Sequence, residues 1–83
     1  MTGVWGIYRG IVTDANDPTK RARLKVRVPA VLGDTETPWA NPCAPKANQS
    51  AATFKPPPAG TQVWIQFEGG DTNAPVWVGF PLK

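Results

Sequence analysis

The stretch VWIQFEGGDTNAPVWVGF, residues 63–80, carries the strongest secondary-structure pattern in the chain. Two sets of residues alternate over its first six positions: Val63, Ile65 and Phe67 in one set, and Trp64, Gln66 and Glu68 in the other. This period of two is typical of a strand with one strongly buried face. Turn-forming residues follow at 69–73, and a second apolar run occupies 76–80. The stretch therefore predicts a β-hairpin whose loop is longer than the tightest two-residue turn.

The apolar side chains of this hairpin are expected to divide between the interior and the surface. We assign to the core Val63, Ile65, Phe67, Val76 and Val78. Trp64 and Trp77 alternate with these residues, so at least one of the two indoles should face outward. An outward tryptophan on a small domain indicates a protein interface. The candidate interface residues are Trp64, Trp77, Phe54 and Tyr8.

The rest of the chain predicts further short strands. Ten prolines and eight glycines leave no room for a long helix. The clearest strand is 21–28, where alternate positions are apolar: Ala22, Leu24, Val26 and Val28. Others are predicted near 5–13, where two glycines indicate a bend or bulge, near 38–44, as a short proline-limited edge, and near 61–68 and 75–80. We expect one all-β domain, residues 1–83, forming a small five-stranded antiparallel barrel of the oligonucleotide/oligosaccharide-binding (OB) type, with an SH3-like barrel as the alternative.

A chain of 83 residues buries only about 60% of its unfolded surface, so its stability is marginal without additional support. Cys43 is the single cysteine, which excludes an internal disulfide, and there is no histidine to help bind zinc. We expect Cys43 to be a buried, small apolar residue. Oligomerisation is the remaining common source of buried surface, which favours an assembly component.

The side chains offer little for catalysis. With no histidine, one cysteine and six scattered acids, the usual general base is missing. Asp14, Asn16 and Asp17 fit a turn better than a calcium site, because an EF-hand loop needs further acids and a terminal glutamate. We therefore predict no enzymatic activity, no metal site, no cofactor and no small-molecule substrate.

A basic stripe follows one face of the second predicted strand: Arg21, Arg23, Lys25 and Arg27. On an OB barrel, such a stripe beside aromatic residues is typical of proteins that bind single-stranded nucleic acid. The only candidates for base stacking are Tyr8 and Trp64, and the net charge of +3 is modest. Charges on an outer strand also prevent edge-to-edge aggregation. Nucleic-acid binding is therefore the alternative function.

The first residues contain no charged start followed by an apolar run, as a secretion signal would. No stretch approaches the roughly 20 apolar residues that span a bilayer. We expect synthesis in the cytoplasm and no membrane insertion by this domain.

Several motifs, read in order, resemble a known family. They are GIV at 10–12 before an Asn/Asp turn, LKVRVP at 24–29, PWA at 38–40, PAGTQVW at 58–64 leading into FEGGD at 67–71, and PVWVG at 75–79. Their order resembles the OB-fold domain of phage baseplate assembly protein V and of the cell-puncturing spike protein of contractile tails. The same domain occurs in the valine-glycine-repeat spike proteins of type VI secretion. The similarity extends over nearly the whole chain.

The resemblance implies a structural role without chemistry. The expected protein is a trimeric OB-fold collar that joins a ring-shaped tail hub protein to a central spike or needle protein. It would be made in the host cytoplasm and incorporated into the tail baseplate of the virion. In the family this domain usually continues into a lysozyme domain or a β-helical spike. The present residues contain neither, so we expect neither muramidase activity nor a membrane-piercing needle from them.

Overall fold

The computed structural model describes residues 3–43 and 55–81, which form five strands and little helix. The elements are β1 (Tyr8–Asp14), β2 (Lys25–Arg27), α1 (Pro29–Leu32), β3 (Asn41–Pro42), β4 (Gln62–Phe67) and β5 (Pro75–Gly79). The connection from β4 to β5 includes a 3₁₀ turn at Glu68–Gly70. The prediction of a small all-β fold of the OB type is confirmed, as is the predicted hairpin with its long loop.

The sheet is mixed rather than purely antiparallel. The strand order is β2-β1-β4-β5-β3, and the pairs of β1 with β2, β1 with β4, and β4 with β5 are antiparallel. β3 runs parallel to β5, with Asn41 opposite Val76 and Pro42 opposite Trp77. The prediction of an antiparallel barrel was therefore wrong for this pair. β3 and β5 are not joined by a hairpin, so no short turn obliges them to run in opposite directions.

Hydrogen bonds between the β2 region and the segment that leads into β3 connect the two edges of the curled sheet. Leu24 and Ala40 exchange two hydrogen bonds of 3.1 and 2.6 Å between their amide nitrogens and carbonyl oxygens. The Thr37 amide donates to the Val26 carbonyl at 2.8 Å, and the Val26 amide donates to Thr37 Oγ1 at 3.2 Å. We call these contacts, at Leu24, Val26, Thr37 and Ala40, the seam. The seam connects β2 to the segment that leads into β3.

The barrel interior is filled by aliphatic and aromatic side chains from most of the strands. The buried cluster contains Val12, Leu24, Val26, Val28, Ala40, Val63, Ile65, Phe67 and Trp77. The predicted burial of alternate positions from Ala22 to Val28 is confirmed. Regular pairing is nevertheless limited to Lys25–Arg27. Lys20 and Ala22 adopt φ angles of 55° and 62°, which no extended strand contains.

Two other element boundaries differ from the prediction. β1 begins at Tyr8 rather than near residue 5, and β3 is shorter than the predicted 38–44. Pro29 ends the second strand as expected, but it also begins α1, which was not predicted. Proline is well suited to the first helical turn, where its missing N–H has no intrahelical acceptor. Most of the predicted 46–60 loop lies outside the described residues.

Within residues 3–43 and 55–81, no helix has the length and apolar character required to cross a membrane.

Candidate protein-interaction surface

Trp77 faces the interior of the barrel, contrary to its assignment as an interface candidate. Its side chain is only 5% exposed, and its Nε1 donates a hydrogen bond to the Ala22 carbonyl at 3.0 Å. Val76 and Val78 are half-buried, so their assignment to the core was wrong. The register explains this result. Ile65 lies opposite Trp77, and directly opposed residues share a face of the sheet. Because Ile65 faces inward, Trp77 faces inward as well.

Trp64 faces outward, so the prediction that at least one of the two tryptophans does so is confirmed. It lies directly opposite Arg9 on β1. The guanidinium carbon of Arg9 is 4.8 Å from the centroid of the indole, within the range of a cation–π contact. Arg9 also donates a hydrogen bond to Gln62 Oε1 at 3.3 Å. The arginine side chain thus lies over the aromatic ring on the outer face of the sheet.

Apolar side chains surround this Arg9–Trp64 pair on the outer face of β1, β4 and β5. Ile7, which immediately precedes β1, is 52% exposed. Ile11 and Val76 are half-buried and lie opposite Gln62 and Gln66. We call Ile7, Arg9, Ile11, Trp64 and Val76 the outer patch. Its apolar content is unusual, because the solvated face of an antiparallel sheet ordinarily carries polar side chains.

Sequence reasoning missed most of this surface, although a signal was present. Ile7, Arg9 and Ile11 alternate with Tyr8, Gly10 and Val12, and both sets contain apolar residues. In a strand with apolar residues on both faces, the second face also has to be covered, either within the fold or by a partner.

Tyr8 and Phe54 do not add to the outer patch. Tyr8 is half-buried and packs against Phe67, with a centroid separation of 6.2 Å. Its hydroxyl oxygen accepts a hydrogen bond from the Gly6 amide at 3.3 Å. Tyr8 therefore lies on the inward side of β1, away from Trp64. Phe54 lies outside the described residues.

The predicted basic stripe does not form one uniform surface. Arg21 and Arg27 are exposed, but Arg23 forms an ion pair with Asp17 at 2.9 Å. Lys25 lies 4.0 Å from a carboxylate oxygen of Glu36. The cationic groups of Arg23 and Lys25 also lie over the Trp39 ring, 5.6 and 5.1 Å from its centroid. Half of the stripe is therefore engaged in contacts within the domain.

Asp17 organises the loop that precedes β2. Its buried carboxylate accepts hydrogen bonds from Thr19, from the Arg21 amide, and from the guanidinium of Arg23. The Arg23 guanidinium, helped by the Thr19 and Arg21 donors, holds the pKa of Asp17 well below its usual range despite burial. The same contact raises the pKa of Arg23. The interpretation of Asp14 and Asp17 as turn residues agrees with these bonds and with a 2.8 Å bond from the Asn16 amide to Asp14.

Cys43 is exposed, so its prediction as a buried residue was wrong. It follows directly after β3, and its amide donates to the Trp77 carbonyl at 3.1 Å. The residue thus lies at the end of a two-residue strand, where the barrel no longer covers its side chain.

The geometry defines a class of protein: a small all-β domain of the OB type, whose curled sheet is bridged along a short seam. Residues 8–81 match the family described as the type VI secretion system/phage-baseplate injector OB domain. The chain belongs to this family, as the resemblance in the sequence predicted. Its role is therefore structural, in a phage tail or a related injection machine. No curated protein sequence matches the chain.

Proposed function

We propose that the protein is an adaptor in a contractile phage tail or related injection machine, where a trimer of this domain joins a ring-shaped hub protein to a central spike. The observation that carries the proposal is the family match over residues 8–81. The match begins at the first residue of β1 and extends beyond the last residue of β5. It therefore includes all five described strands of the barrel.

The outer patch supports a role in assembly. Trp64 and Arg9 belong to the residue types that are enriched at protein interfaces. Ile7 is a large apolar side chain that remains half exposed in the isolated domain. A barrel face of this kind gains buried surface when it contacts a partner.

The small size of the domain supports an oligomer. A single core of this size rarely provides more than a few kcal/mol of net stability. Contact between copies around a threefold axis would add buried surface without any change in the fold. The partners follow from the resemblance: the hub protein at one end of the trimer and the spike at the other. The resemblance also implies synthesis in the host cytoplasm and a final location in the tail baseplate of the virion. The domain would transmit position and load, with no substrate and no chemical step.

Light scattering tests the proposal. The mass of the protein is measured alone and with the purified hub protein from the same phage or element, at tens of micromolar. We expect a trimer, or a complex of defined stoichiometry with the hub. A monomeric mass of the protein alone does not contradict the proposal, because the resemblance implies that the spike reinforces the trimer. A monomer whose mass is unchanged by the hub contradicts the adaptor.

A further inference from the structure

We propose that the outer patch is the face that docks on the hub protein, and that the hub presents a carboxylate among apolar side chains, which binds Arg9. This inference rests on the proposed function and assigns the contact to one side of the barrel.

The contacts of Arg9 show what its partner must supply. Among the described residues its side chain contacts two neutral groups, the Gln62 amide oxygen at 3.3 Å and the Trp64 ring at 4.8 Å. The ion pairs within those residues belong to Arg23 and Lys25 instead. The charge of Arg9 is thus not matched by an acid in the described part of the domain. On a protein partner, the group that matches a guanidinium is a carboxylate, which accepts two parallel hydrogen bonds from it.

The position of Arg9 is already favourable for such a bond. The guanidinium lies over the Trp64 ring and donates one hydrogen bond to Gln62, so two contacts within the domain favour its position on the outer face. A side chain whose position is already favoured loses less conformational entropy when it binds a carboxylate. The domain therefore presents a donor that is partly ordered before a partner binds.

The apolar neighbours of Arg9 would strengthen the contact. Ile7, Ile11 and Val76 surround the Arg9–Trp64 pair. At protein interfaces, strongly contributing Trp and Arg residues are enclosed by less important contacts that exclude water. Exclusion of water increases the strength of a charge-assisted hydrogen bond. An acidic group alone would leave these apolar side chains uncovered, so the matching surface is acidic at its centre and apolar around it.

The basic stripe lacks these properties. Arg23 is bound by Asp17, and Lys25 lies beside Glu36. Trp39 is already covered by the cationic groups of both residues. Exposed Arg21 carries the same charge as Arg9 without belonging to the outer patch, which makes it a matched control.

Calorimetric titration of the full chain with purified hub protein tests the inference. The variants are Arg9→Glu and Ile7→Ser in the outer patch, and Arg21→Glu as the control. Ile7 and Arg9 are exposed, so both substitutions should leave the barrel folded, and chemical denaturation checks this. We expect each patch variant to weaken hub binding by at least about tenfold. Arg21→Glu should change it by less than about threefold, because Arg21 lies outside the outer patch and acts only through long-range, salt-screened electrostatics.

The titration distinguishes failure of the assigned docking face from failure of the adaptor function. If the parent binds the hub and the patch variants bind equally well, the inference is overturned while the adaptor function stands. An equal loss for Arg9→Glu and Arg21→Glu also overturns it, since only net charge would then matter. If the patch variants change the mass of the protein alone and leave hub binding intact, the face joins copies of this chain instead. If the outer-patch variants lower only the free energy of unfolding and leave hub binding unchanged, the patch contacts another part of this chain and the inference is overturned. If the parent protein does not bind the hub protein, both the adaptor function and the assigned docking face are contradicted.

Discussion

The indole nitrogen of Trp77 donates a hydrogen bond to the backbone carbonyl of Ala22, 55 residues earlier in the chain and 3.0 Å away. The bond joins the final strand to the loop that leads into β2. Both residues are buried, and Ala22 adopts a positive φ of 62°. A single side chain thereby connects β5 to the loop between β1 and β2 at a point of unusual backbone conformation.

Trp77→Phe should destabilise the protein by about 1–3 kcal/mol, because it removes the donor to a buried carbonyl while retaining an aromatic ring. Urea denaturation measures the loss. Trp64→Phe is the matched control, since the outward indole has no such bond to the loop. Its effect should stay below about 1 kcal/mol. Equal unfolding midpoints for Trp77→Phe and the parent would show that the bond contributes nothing.

Asp17→Asn should lower the free energy of unfolding at neutral pH and make that free energy less dependent on pH in the acid range. The folded-state pKa of Asp17 is depressed, chiefly by Arg23. Its contribution to stability is therefore complete above the unfolded carboxyl pKa of about 4 and is lost as the pH falls below that value. Denaturation of parent and variant from pH 7 down to pH 2 tests this. The control, Asp71→Asn, removes one carboxylate from an exposed turn. If Asp17→Asn and Asp71→Asn change the stability and its pH dependence equally, the contact with Arg23 contributes no more than an exposed turn carboxylate does.

Val26→Ala and Phe67→Ala should each cost about 2–4 kcal/mol, through lost transfer free energy and a residual cavity. Both side chains lie in the buried cluster, at 0% and 5% exposure. In so small a domain such a loss can unfold the chain. Val76→Ala provides the comparison on the outer face and should cost less than about 1 kcal/mol. A Val76→Ala effect as large as that of Val26→Ala would contradict the assigned faces.

Gly70→Ala should be more harmful than Gly69→Ala. Both glycines have positive φ, 75° and 61°, so alanine at either position costs about 1–2 kcal/mol of backbone strain. At Gly70 the added Cβ would also lie 2.9 Å from Trp5 Cε2, whereas nothing lies within 4 Å at Gly69. Denaturation compares the two variants. Combining Gly70→Ala with Trp5→Ala should remove the additional loss, and a full additive loss in the double variant would refute the clash.

Labelled single-stranded oligonucleotides should bind only weakly, and salt should abolish the binding. Two of the four residues of the basic stripe are engaged by acids, and Tyr8 packs against Phe67 rather than beside Trp64. Purely electrostatic binding decreases steeply with salt, because each neutralised phosphate releases a counterion. Fluorescence anisotropy over a salt series measures this. Micromolar affinity that persists at high salt would favour the nucleic-acid alternative.

Local patterns in the sequence predicted the strands, but not every face or partner. The alternation from Ala22 to Val28 correctly identified the buried residues, but it could not show that the backbone at Ala22 leaves the extended conformation. The run Val76–Trp77–Val78 is apolar at every position, so periodicity could not decide which residues enter the core. That choice depends on the register with Ile65 and on the distant Ala22 carbonyl.

The same limit applies to the topology and to the surface. The parallel pairing of Asn41 with Val76 joins segments that no local turn connects. The Arg9–Trp64 contact is likewise a cross-strand relationship. The sequence contains both side chains, but only the pairing of β1 with β4 shows that they are neighbours. Residues whose role depends on distant pairing were therefore the ones that pattern reasoning misplaced or missed.

We expect the seam to make the resistance of the barrel to force depend on the direction of the pull. β4 is held by β1 on one side and β5 on the other, so a pull along β4 loads two rows of hydrogen bonds together. A pull that separates β2 from the segment before β3 loads the Leu24–Ala40 and Val26–Thr37 bonds one after the other. In the proposed adaptor, the orientation of the seam relative to the load would therefore decide whether the domain transmits force or opens. We expect the domain to resist a pull along β4 better than a pull across the seam.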